Sequence, residues 1–150
     1  MRLEASSHYY FNELLSIRED FMMNQNFRSY RDLDVWQKSL ELAKEIYKTT
    51  NGFPAEEKFG LVNQMQRAAV SIPSNIAEGH ARLATGEFMR FVSISLGSVA
   101  ELETQLILSK ELHFISKPIQ DKLLLLLDEI GKMLRGLYKS LQKKKLEARN

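Results

Sequence analysis

Apolar side chains recur along this chain at steps of three and four, the spacing that places residues on one face of an α-helix. The pattern comes in four blocks separated by glycine, proline or serine. In the first, Leu33, Trp36, Leu40, Ala43 and Tyr47 make one stripe, and Val35, Ser39, Leu42 and Ile46 make a second beside it. Two adjacent stripes form a face wide enough to touch two neighbours, as a bundle helix must. The pattern predicts a helix starting near Asp32, whose carboxylate can cap free N–H groups, with Asp34 at the positive end of the dipole. Asn51-Gly52 closes it, with glycine suited to a left-handed final turn.

The second block opens at Phe53-Pro54, has Glu56 and Glu57 in its first turn, and runs to about Arg82. Leu61, Met65, Ala68, Ile72 and Ile76 form its stripe. Pro73 interrupts it: proline has no N–H for the carbonyl of Ala69, and its ring crowds that carbonyl, which predicts a kink or a break. The side chains around it are small, so a neighbouring helix can approach closely, and Ser71 or Asn75 is placed to bond the freed backbone groups. Trp36, Phe53 and Phe59 sit in or beside the apolar pattern and read as core and staple residues.

Thr85, a candidate cap, opens the third block. Phe88, Val92, Ser95, Val99, Leu102, Leu106 and Ser109 follow a heptad-like seam, with Phe91, Ile94, Ser98, Glu101, Gln105, Leu108 and Leu112 running parallel to it. Glu101 therefore falls on a mostly apolar or small stripe. A carboxylate withdrawn from water needs a partner, and Arg67 or Asn75 is the expected one. In the fourth block Ser116 caps, Pro118 lies in the first turn, and two stripes lead from Ile119 to Leu137 and from Leu124 to Leu141. The unbroken run Leu123–Leu127 makes its start apolar on more than one side. The expected fold is all-α: an antiparallel up-down four-helix bundle over residues 27–145, with helix two kinked at Pro73. Residues 146–150 are a basic tail. Residues 1–26 are an N-terminal extension in which Tyr9, Tyr10, Phe11, Leu14, Leu15 and Ile17 suffice for one short helix, packed on the bundle or on a neighbouring subunit. Met22 or Met23 offers a second start of translation.

Composition narrows the function. The chain has no cysteine, so disulfides and thiolate metal sites are excluded. No apolar run approaches the ~20 residues of a membrane span, and the N-terminus lacks a signal-peptide core, which reads as a cytoplasmic protein without membrane contact. Charge is uneven: seven basic residues and one acid between Lys132 and Asn150 give +6 within a chain whose total is +2, leaving −4 for the remainder. That asymmetry points to a polyanion. There is no glycine-rich phosphate loop and no H-E-x-x-H. His8, His80 and His113 lie far apart, and Glu78 to His80 and Glu111 to His113 miss the Glu-x-x-His spacing of di-metal bundles. The sequence thus reads as a binding protein, not an enzyme, and implies no cofactor.

The run Ser71-Ile72-Pro73-Ser74-Asn75-Ile76-Ala77-Glu78-Gly79 resembles the signature of the four-helix-bundle proteins encoded in intervening sequences of bacterial 23S ribosomal RNA genes. Three further runs fit in the same order: Leu33–Lys38, Phe53-Pro54 through Glu57–Leu61, and Gly97–Leu106. The resemblance spans about residues 30 to 143 and marks Pro73, Asn75, Glu78, Gly79 and Glu101 as its signature. It implies an all-helical homopentamer shaped as a tapered barrel. Related proteins are accessory factors of diversity-generating retroelements that engage reverse transcriptase and nucleic acid. From its basic residues the chain is expected to bind RNA or DNA, with Arg67, Arg82, Arg90, Lys132, Arg135 and Lys139 as candidates for phosphate contact. The alternative is a protein-binding scaffold, for example one that docks a reverse transcriptase.

Overall fold

The computed structural model describes residues 29–149. The readings made for residues 1–26, including His8 and the start at Met22 or Met23, lie outside the described residues. Four helices carry the fold: α1 (Asp34–Thr50), α2 (Leu61–Ala81), α3 (Thr85–Glu111) and α4 (Lys117–Glu147). Two 3-10 turns precede α1 and α2, at Tyr30–Asp32 and Ala55–Phe59, and there is no strand among the described residues. Each helix packs on two others, α1 and α3 each lying against α2 and α4, which is a four-helix bundle.

The buried core falls on the predicted stripes, although Tyr47, Ile94, Leu108, Leu112 and Ile119, also placed on stripes, are exposed. Leu42 and Ile46 from α1, Ile72 and Ile76 from α2, Leu102 and Leu106 from α3, and Leu127 and Ile130 from α4 are fully enclosed. Burying each side chain of this size contributes about 1.5–3 kcal/mol, which offsets the chain entropy lost on folding. Four serines, Ser39, Ser95, Ser98 and Ser109, share this core. Each hydroxyl finds a carbonyl: Ser39 donates to Trp36, Ser95 to Ile72, Ser98 to Ile94 and Ser109 to Gln105. Satisfied in this way they cost little, and their small volume lets α3 lie close to α2.

Several helix ends differ from expectation. Asp32 does not cap α1. It closes the 3-10 turn, where Ser29 and Asp32 form a reciprocal capping box, and α1 starts behind Leu33 with no side-chain cap. Glu57 is used in the same way. Phe53-Pro54 opens a 3-10 turn instead of α2, and the Glu57 carboxylate accepts from the N–H of Leu61, the first residue of α2. Thr85 is itself helical, behind Ala84, and Ser116 occupies the cap position of α4 without bonding from its side chain. Gly52 is not left-handed. The positive φ among the described residues belongs to His113, at 60°, just past the end of α3. Phe59 is a further correction: it is 86% exposed, while Phe53 is buried and Trp36 half-buried. Helix α3 is also long and apolar enough, by length and composition, to cross a membrane. Here 44% of that apolar window is buried inside the bundle, where the helix packs against α2 and α4.

Candidate nucleic-acid interface

The signature run falls in the middle and second half of α2, where it faces α3. The helix is continuous from Leu61 to Ala81 with Pro73 inside it. Ser95 Oγ donates to the carbonyl of Ile72 at 3.1 Å, adding a cross-helix bond beside the proline. Asn75 Nδ2 donates to the carbonyl of Ser71 at 2.7 Å, while the Ser71 hydroxyl pairs with that of Ser98 across the α2–α3 seam. Asn75 and Ser71 thus serve the backbone and the seam; the carbonyl freed by the proline belongs to Ala69.

Gly79 explains the glycine of the signature. A Cβ placed there would lie 2.6 Å from Phe91 Cβ and 2.8 Å from Phe88 Cδ2. The helices touch backbone to side-chain root at this point, and any larger residue collides. Glu101 departs from expectation. It is exposed, and its carboxylate accepts from Gln105 Nε2 at 3.2 Å; neither Arg67 nor Asn75 bonds it. The stripe runs along the rim of the buried face: Phe91, Ser98 and Gln105, seven residues apart, are buried, whereas Ile94, Glu101 and Leu108 between them are exposed, and the Oε1 of Gln105 lacks a partner.

Over residues 31–136 the chain matches the family described as 23S rRNA-intervening sequence protein. The chain belongs to that family. A solved relative is a protein of unknown function from the S23 ribosomal protein family of Bacteroides thetaiotaomicron. It is 26% identical, covers 70% of this chain and 95% of its own, and superposes with a TM-score of 0.65. No functionally curated protein matches.

In this intervening-sequence protein the six candidate cations divide into two groups. Arg82 bonds Glu78 at 2.8 Å, Arg90 bonds Glu87 at 3.1 Å and Lys132 bonds Asp128 at 2.7 Å. The bond from Arg90 holds the Glu87 carboxyl below the usual carboxylate range, and Glu87 raises the Arg90 guanidinium in return. Both Arg82 and Arg90 also flank the Phe91 ring, at 5.5 and 4.6 Å. Arg67, Arg135 and Lys139 are exposed and make no ion pair among the described residues.

The sequence reading counted Lys145 in the basic segment but not among the candidate phosphate contacts. Its Nζ reaches within 3.2 Å of where a Gly86 Cβ would sit, which brings the end of α4 beside the first turn of α3. Arg82, Arg90 and Lys145 therefore gather at one end of the bundle. Arg67 lies 15 residues back along α2 from Arg82, about 22 Å at 1.5 Å per residue, and does not join them. The sequence reading carried the bundle to residue 145 and began the tail at 146; the helix runs two residues further, to Glu147.

Proposed function

We propose that this protein is a non-catalytic, oligomeric nucleic-acid-binding protein, and that it grips phosphates with the second half of α4. One observation carries the reading. Arg135, Lys139, Lys144 and Lys145 are exposed on a single continuous helix without ion pairs among the described residues, whereas Arg82, Arg90 and Lys132 are already occupied by carboxylates of their own helices. Arg135 and Lys139 are one turn apart and share a face. Such cations recognise the backbone of RNA or DNA by charge, with little choice of sequence. The non-catalytic part of the reading rests on the sequence, which offers no nucleophile–base pair and no metal-ligand spacing.

The assembly is read as a homo-oligomer, a pentamer by analogy with the family, acting in the cytoplasm. Exposed Ile94, Ile107, Leu108 and Leu125 on α3 and α4 supply apolar surface for subunit contact or, as a second reading, for a protein partner such as a reverse transcriptase. The bundle is read as antiparallel and up-down, with a bend at Pro73. The α3 partners of α2 support this, falling in number as α2 rises: Met65 meets Ser109, Ser71 meets Ser98, and Ile72 meets Ser95.

Fluorescence anisotropy with a labelled single-stranded RNA over a salt series tests the binding. Affinity should fall steeply between low and physiological salt. The double variant Arg135→Gln/Lys139→Gln should flatten the slope of log K against log salt by about 1.4, roughly 0.7 per lost phosphate contact. Lys117→Gln, whose cation is paired with Asp121 near the start of α4, serves as the control and should leave the slope unchanged. A salt-independent affinity, or equal effects of the two sets, refutes the assignment to α4. Native mass spectrometry of the same preparations reads the subunit number.

A further inference from the structure

One turn beyond the Ser71–Ser98 contact, the seam between α2 and α3 opens into a polar cleft of about 360 Å³. Asn63, Gln64, Arg67, Ala68 and Ser71 of α2 line one wall, and Glu101 of α3 lines the other. Ala68 is buried and small, so it serves as a floor, while Asn63, Gln64, Arg67 and Glu101 stand exposed around it. At ~30 Å³ per water the space holds about a dozen of them, which is room for a two-ring base.

Two opposite charges face this cleft without meeting. Arg67 makes no ion pair among the described residues. Glu101 accepts from Gln105 Nε2 at 3.2 Å, and Gln105 is itself buried, so the carboxylate is tethered to the core and keeps its other lone pairs free. A cation on one wall and an anion on the other suit a flat ligand with acceptors on one edge and donors on the other. Among the four RNA bases guanine has that layout. Its N1–H and 2-amino group donate side by side to a carboxylate, and its O6 and N7 accept from the fork of an arginine. Adenine, cytosine and uracil each set an acceptor beside the donor that a carboxylate would meet. The two charges cancel, so the cleft exerts no net pull on phosphate.

We propose that the cleft between α2 and α3 binds a guanine base, with Glu101 taking its N1–H and 2-amino group and Arg67 its O6 and N7. Gln105 is a positioning residue that holds Glu101 toward the cleft. The base comes from a free guanine nucleotide or from an unpaired guanosine in an RNA strand, and the recognition chemistry is the same. The site does not rest on phosphate contacts by α4, because a base held by its edges needs none.

Calorimetric titration of the full-length protein with GMP, AMP and IMP reads the free nucleotide. GMP should bind more tightly than AMP. IMP, which lacks the 2-amino group, should bind about ten-fold more weakly than GMP, the effect of one lost hydrogen bond to a charged group. Anisotropy with labelled oligouridine, and with the same strand carrying one central guanosine, reads the RNA source. Glu101→Gln should erase the preference for guanine. Glu103→Gln, exposed on the same helix but outside the cleft, should leave it intact. Both changes are at the surface, so far-UV circular dichroism should not move. Arg135→Gln/Lys139→Gln should weaken both strands by one factor and keep their ratio, which separates failure of the α4 assignment from failure of this one. A preference confined to the strand assigns the site to guanosine in RNA; a preference shown by GMP as well assigns it to the free nucleotide too. No preference for guanine in either arm, the result expected if another chain's side chains fill the cleft, would overturn the proposal. A preference that survives Glu101→Gln would overturn it as well.

Discussion

Replacing Gly79 by alanine tests whether α2 and α3 are held at backbone contact distance. A Cβ at this position meets Phe91 Cβ at 2.6 Å and Phe88 Cδ2 at 2.8 Å, where ordinary contact is 3.4–4 Å. The first of these atoms is fixed to the α3 backbone and cannot rotate away, so the helices must part by close to 1 Å over a seam that includes Ser95 and Ile72. Overpacking of this kind costs about 1–3 kcal/mol. Alanine also returns about 1 kcal/mol, because it is a better helix former than glycine. With the obstruction at a side-chain root, the packing cost falls in the upper part of its range, and the net expectation is a loss of about 1–2 kcal/mol. For a domain of this size that lowers Tm by roughly 3–8 °C. Gly97 and Gly136 are the internal controls. Both are helical and exposed, and a Cβ at either meets nothing within 4 Å. Alanine there should gain about 0.5–1 kcal/mol. Urea unfolding of the three variants, with m unchanged, measures all of this. If Gly79→Ala is as stable as Gly136→Ala, the close approach of the helices is wrong.

Ser95→Ala removes a fully buried hydroxyl and its bond to the Ile72 carbonyl, and should cost about 0.5–1.5 kcal/mol in the same assay. Gln105→Met deletes a buried amide whose Oε1 has no partner, so stability should be unchanged or rise by up to about 1 kcal/mol; a clear loss would show that the oxygen is satisfied in solution. Glu45 accepts from Lys122 of α4 and Lys48 of α1, bonds that hold its carboxyl below its ordinary value of 4.5. A depressed carboxyl stabilises the fold above its unfolded pKa, and the benefit is lost as pH falls through the folded value. Thermal unfolding of wild type and Glu45→Gln should therefore differ at neutral pH and converge as the pH is taken below 4.5. A gap that stays constant into acid would refute the pairing.

The four helices and most of their buried faces were legible because periodic apolar spacing survives any detail of packing. Ile72, Leu102 and Leu127 fell where their stripes put them. The helix starts were less legible, because one carboxylate serves equally well as a cap or as part of a preceding turn. Asp32 and Glu57 were both taken up by 3-10 turns. Glu101 and Phe59 failed for a different reason. Glu101 lies on a stripe at the rim of the buried face, where members alternate between core and solvent, and an aromatic beside a helix start has no neighbour unless the fold supplies one. Of the interface, the basic character of α4 was readable, but not which cations are held by carboxylates one turn away. The pairs of Arg82 with Glu78, of Arg90 with Glu87 and of Lys132 with Asp128 are decided by rotamers that periodicity does not address.

The make-up of α3 has a consequence for synthesis on the ribosome. This helix is built like a lipid-spanning segment and leaves the exit tunnel before α4, the partner that covers one of its sides. Until Lys117 and the residues after it have been added, a nascent chain shows that bare side to chaperones and to the insertion machinery. A stop codon just upstream of Lys117 would make this permanent, leaving a product prone to aggregate or to be captured by membranes.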